Sequence, residues 1–78
     1  MNISVYPNPL KGNELTIDLG GLSGMSIISI IDCCGGIVEK QYVSGKQLFN
    51  METVLDKGLY LVRVENEGKL YLRKLVVD

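Results

Sequence analysis

The sequence predicts an all-β domain of about seven short antiparallel strands. Three observations carry this. The chain of 78 residues has eight valines and seven isoleucines but no alanine. Alanine is the best helix former, whereas Val and Ile suit a pleated, half-buried surface. Nine glycines punctuate the chain at short intervals. Between them, apolar and polar residues alternate with the period of a strand.

The elements follow in order. Ile3 to Tyr6 alternates and stops at Pro7-Asn8-Pro9. Two prolines flanking Asn8 fix φ twice and remove two donors, which makes a rigid, non-helical turn. Glu14 to Leu19 sets Leu15, Ile17 and Leu19 on one side and Glu14, Thr16 and Asp18 on the other. Met25 to Asp32 has no wholly polar face, the pattern of a central strand covered on both sides. Asp32 to Gly36 reads as a tight hairpin turn, with Gly35 free to take positive φ. Ile37 to Val43 returns as a strand, and Ser44-Gly45-Lys46 turns again. Gln47 to Met51 places Phe49 and Met51 on one face, and Glu52 to Lys57 is a polar connection anchored by Leu55. Gly58 opens a strand to Glu65 with Tyr60, Val62 and Val64 on one face, and Asn66-Glu67-Gly68 is a hairpin turn. In Lys69 to Val77 the parity changes, from Leu70 and Leu72 to Leu75 and Val77. That predicts either a bulge near Arg73-Lys74 or partial cover on both faces. Seven strands with turn signals at this spacing are the pattern of an immunoglobulin-like β-sandwich. Size scaling gives a single domain over residues 1–78, about 4,700 Å² of folded surface and a thin core.

Composition excludes several functions. Eight basic and nine acidic residues leave a net charge of −1 without a run of like charge. This is not the electrostatic footprint of a nucleic-acid or anionic-membrane binder. The longest apolar run, Leu59 to Val62, is far short of the ~20 residues of a membrane helix, so no membrane insertion is expected. There is no His, which removes the commonest general base and metal ligand. The carboxylates lie in no spacing diagnostic of calcium or of a hydrolytic pair, and the serines have no base beside them. No catalytic residue, metal or cofactor is therefore expected. Cys33 and Cys34 are adjacent, too close along the chain for an unstrained bridge to each other. They read first as two small turn residues, and next as donors of an intermolecular disulfide.

Three motifs occur in a telling order. Val5-Tyr6-Pro7-Asn8-Pro9 opens the chain, and Ile30-Ile31-Asp32 with Gly35 and Val38 occupies the middle. Leu55, Gly58 and Tyr60 to Val64, then Lys74-Leu75-Val76-Val77, close it. Together they resemble the type A C-terminal sorting domain of the type IX (Por) secretion system of Bacteroidetes, across essentially the whole chain. Two positions depart from that pattern: Gly36 stands where a basic residue is common, and Ile31 where an aromatic often precedes the Asp.

The resemblance implies a secretion signal recognised by outer-membrane translocon and sortase-like proteins. It implies a covalently attached N-terminal passenger, exported through the periplasm to the cell surface or secreted, with the domain usually cleaved off. Met1 at the head of such a domain reads as the start of an excised piece. The recognition residues would be Pro7, Asn8, Pro9, Asp32, Gly35, Leu55, Gly58, Tyr60, Lys74 and Val76. Most of these also have a plain structural reading. Pro7-Asn8-Pro9 would let the first strand enter the sandwich, and Gly35 and Gly58 would meet backbone needs at turns. Tyr60 would form a tyrosine corner. Lys74 would either protect an edge strand or be read by the translocon through strand addition to that edge. The rival function is an immunoglobulin-like adhesion or ligand-binding module, which would present aromatics on its loops.

Overall fold

The computed structural model describes residues 3–45 and 47–78. Met1, Asn2 and Lys46, the last residue of the predicted third turn, lie outside them. The seven expected strands are present: β1 (Ser4–Tyr6), β2 (Glu14–Asp18), β3 (Met25–Ile31), β4 (Ile37–Ser44), β5 (Leu48–Glu52), β6 (Gly58–Asn66) and β7 (Lys69–Val77). They form two antiparallel sheets, a three-stranded one in the order β1-β2-β5 and a four-stranded one in the order β4-β3-β6-β7. The arrangement is a sandwich consistent with the immunoglobulin-like fold. Its surface of 4800 Å² agrees with the size expectation.

Alternation decides which side chains meet between the sheets. From the three-stranded sheet come Val5, Leu15, Ile17 and Met51, and from the other Ile28, Ile30, Val62, Val64 and Leu75, all buried. Leu22, Phe49, Leu55 and Tyr71 pack partly buried around this cluster. Leu55 thus anchors the polar connection as its isolation among polar residues suggests.

β7 differs from the sequence expectation. Its pairing with β6 runs unbroken from Asn66↔Lys69 to Gly58↔Val77, so there is no bulge at Arg73-Lys74. The inward parity throughout is Tyr71, Arg73, Leu75 and Val77. Leu70 and Leu72 stand on the outer face, 62% and 53% exposed. The parity change in the sequence therefore marks apolar residues on both faces, with only one face covered. The bulge falls instead between β3 and β4, where Ile30 pairs Glu39 but Ile31 pairs Ile37.

β3 is central in its sheet, between β4 and β6, but the predicted second cover is incomplete. Its inner residues Ile28 and Ile30 are buried, and so is Ser29 in the middle of the outer face. Met25 on that outer face is half exposed. Among the described residues no third layer of strands or helices covers that face.

A polar latch ties the β6–β7 hairpin to the β2–β3 connection and the start of β3. Asn66, read from sequence as a turn residue, is the buried last residue of β6. Its Nδ2 donates to the Ser23 and Met25 carbonyls and to Ser26 Oγ, at 2.9, 3.2 and 3.0 Å. The turn proper is Glu67-Gly68, both with positive φ, at 51° and 76°.

Candidate recognition site

The sequence-predicted residues gather toward one end of the sandwich, in two parts. The larger centres on the C-terminal strand. Both proline peptide bonds of the first motif, Tyr6-Pro7 and Asn8-Pro9, are cis. Between them Asn8 turns its amide onto β7: Nδ2 donates to the Lys74 carbonyl at 2.8 Å, and Oδ1 accepts from the Val76 N–H at 3.0 Å. Leu10 continues the pairing through its backbone. Its N–H donates to the Val76 carbonyl at 2.7 Å, and its carbonyl accepts from the Asp78 N–H at 2.9 Å. The Leu10 side chain is buried, as is that of Val77 in the parallel bridge they form. Asn8 thus acts as one residue of a short parallel strand. A side-chain amide carries the same donor and acceptor as a peptide unit, which allows it to do so.

This corrects the expected edge chemistry. The sequence predicts a C-terminal edge strand that is either guarded by Lys74 or open to strand addition. On the side away from β6, the Lys74 carbonyl, the Val76 N–H and carbonyl and the Asp78 N–H are already paired within the chain. Pro7-Asn8-Pro9 is therefore more than an entry turn for β1. Farther along, Arg73 reaches from β7 to β1, its Nε donating to the Ile3 carbonyl at 2.7 Å. Arg73 and Leu10 were not singled out in the sequence. An Arg with inward parity in an apolar strand was the available signal for the first, since such a group must find a partner.

Tyr60 and Gly58 form a second part of this region. Tyr60 faces the core and its hydroxyl donates to the Asp56 carbonyl at 2.7 Å, four residues upstream, as expected of a tyrosine corner. Burial, with the charges of Asp56 and Asp32 nearby, holds the phenol above the usual tyrosine range. Gly58 opens β6 with φ of 156°, a value side-chain-bearing residues rarely adopt. That backbone lets the chain double back from Asp56 into the strand.

Asp32 and Gly35 form the other part, in the β3–β4 turn beside the start of β6, since Ile31 pairs with Leu61 and Leu61 with Lys74. Asp32 Oδ1 accepts from the Cys34 and Gly36 N–H groups at 2.9 and 2.8 Å. Its backbone pairs with Gly35 and Gly36. The spacing from Asp to Gly is thus a self-contained turn, in which the carboxylate supplies the acceptor that the exposed backbone donors need. Cys33 and Cys34 are exposed free thiols at its apex. A hydrogen bond with Cys33, then the charges of Cys33 and Asp32, hold the Cys34 thiol above its ordinary range. Among the described residues, no three His, Cys, Asp or Glu gather where they could hold a metal ion.

A two-layer sandwich whose opening loop is laced to its closing strand is an immunoglobulin-like module. The motif residues described so far are spent on turns, the corner and the lacing. The family model described as the secretion system C-terminal sorting domain matches residues 4–78, and the chain belongs to that family, the sorting domains of type IX secretion. No curated protein gives a significant match. The family is one of sorting signals rather than of catalysts. It implies interaction with the type IX machinery, an attached passenger, and export to the cell surface or medium.

Proposed function

We propose that residues 1–78 act as one unit at the C-terminal end of a passenger, directing it across the outer membrane through the type IX translocon. A sortase-like protein then removes the domain, and the passenger is attached to the surface or released. The observation that carries this reading is the family match, which begins at β1 and runs through the last strand. The lacing adds physical support. It makes Asn8, Lys74 and Val76 parts of one structure, so the motif residues at the two ends of the chain stand or fall together. Recognition by strand addition would use the part of β7 before Lys74, or would require residues 8–10 to be displaced.

The adhesion alternative is less well supported. The chain has four Tyr and one Phe, and all five lie within strands. The loops therefore offer no flat apolar platform for a glycan.

The test fuses the domain to a periplasmic reporter in a bacterium with the type IX system. The reporter should reach the surface or medium, and deletion of Leu70–Asp78 should trap it in the periplasm. Retention of the intact fusion would overturn the proposal.

A further inference from the structure

The outer faces of the two sheets differ in kind. On the three-stranded sheet Tyr6 and Leu48 are exposed at the two edges of that face, but between and around them stand Glu14, Asp18 and Glu52, with Thr16 donating to Asn50 Oδ1 at 2.7 Å. The four-stranded sheet presents aliphatic side chains instead. Leu59, Leu61, Leu70, Leu72 and Val76 of β6 and β7 are 39–62% exposed on this side. Met25 of β3 and Tyr42 of β4 extend it to the opposite edge, 53% and 63% exposed.

The register shows that these residues form one surface. Leu61 lies between Ile31 and Lys74, while Leu70 and Tyr42 flank the pair Glu65 and Ile27. Strand spacing and rise make the face roughly 20 by 30 Å, or about 600 Å² in plan. With its charged residues included, that plan area is not far below the ~800 Å² per partner of a standard interface.

Two further observations indicate what covers it. The first is charge. Among the described strand residues of this face, Lys40, Arg63 and Lys74 outnumber the one carboxylate, Glu65, although the chain as a whole is net negative. Lys40 Nζ lies 5.8 Å from the centroid of the Tyr42 ring, at the rim. An isologous contact with a second copy would bring two positive faces together. The second is hydrogen bonding. Ser29 Oγ and Arg63 Nε are buried with no hydrogen-bond partner, and Ser29 and Arg63 are paired across β3 and β6 at the middle of the face. Arg63 Nε does lie 3.3 Å from Glu65 Oε1, an ion-pair contact outside hydrogen-bond geometry. A hydrocarbon surface could not satisfy this polar centre, whereas a protein could.

We propose that the outer face of β4-β3-β6-β7 is the surface by which a component of the export machinery reads the folded domain. That component would present an apolar surface with an acidic rim. This rests on the sorting function proposed above, and it places the reading on a sheet face while the C-terminal edge stays laced to Asn8 and Leu10.

The test uses the same reporter fusion with Leu70→Ser/Leu72→Ser, and separately with Lys40→Glu/Lys74→Glu. Val54→Ser, at the 83% exposed Val54 of the β5–β6 connection, is the control. Thermal unfolding of the purified domains checks that each still folds. Both double variants should lower export at least tenfold while melting as the parent does, and the control should be exported normally. Export within twofold of the parent in either folded double variant overturns the face and leaves the sorting function standing. Failure of the parent fusion overturns the sorting function itself. Size-exclusion light scattering of the parent domain should show a monomer, and it should not sediment with vesicles containing phosphatidylglycerol. A micromolar dimer, or vesicle binding, abolished by Leu70→Ser/Leu72→Ser would assign the face to a second copy or to lipid and overturn the proposal.

Discussion

Replacing Asn8 with Ala removes two hydrogen bonds to the last strand, to the Lys74 carbonyl and from the Val76 N–H. Both are exposed, so water recovers part of each. At about 0.5–1 kcal/mol per bond, the low end of the usual range, the loss is about 1–2 kcal/mol. A domain of this size has a total stability of about 4–12 kcal/mol, so the loss is a sizeable fraction of it. The corresponding fall in Tm is about 5–10 °C. Urea unfolding and calorimetry of Asn8→Ala read this directly. Amide hydrogen exchange adds local resolution, since the Val76 N–H should exchange about 5- to 30-fold faster for that free energy. Lys11→Ala, at an exposed position next to Leu10, is the control and should change little. If Asn8→Ala is as stable as the control and Val76 remains protected, the lacing does not hold β7, and the structural role given to this motif fails.

Three other outcomes follow from single sites. Glu67 holds φ of 51° in a two-residue hairpin loop that favours Asn, Asp or Gly. Glu67→Asn should raise stability by about 0.5–1 kcal/mol in urea unfolding. Because the Tyr60 phenol titrates above the usual range when folded, the unfolded chain loses that proton first as pH rises. Stability from this group is complete at neutral pH and declines above about pH 10. Tyr60→Phe should lower Tm by several degrees at pH 7 and weaken this alkaline decline, as followed by circular dichroism. Cys33 and Cys34 are exposed at a hairpin apex, so an oxidant should yield a disulfide-linked dimer on a non-reducing gel. A monomer alone would remove the expected intermolecular bridge.

The fold was largely legible because strand alternation is a local signal. Leu15 and Ile17, or Val62 and Val64, declare their face within a few residues, and Gly35 and Gly58 mark turns without help from the rest of the chain. Tyr60 was legible for the same reason: its partner is only four residues away. What could not be read depends on distant segments. Asn8 meets Lys74 across 66 positions, and Arg73 meets Ile3 across 70. No local period encodes such a meeting. The outer leucines of β7 misled in another way. Their parity looked like a register fault because an exposed aliphatic face has no explanation within one strand. It becomes coherent only beside Leu59 and Leu61 of β6.

The burial of Val77 beneath Leu10 has one more consequence. Val77 closes the core, and the Asp78 N–H donates to the Leu10 carbonyl. A chain translated or clipped short of these positions lacks Val77, and Leu10 then stays in water. Residues 8–10 find their places only against residues 74–78, so the opening loop and the closing strand of the domain form as one unit, and neither is stable as a separate piece.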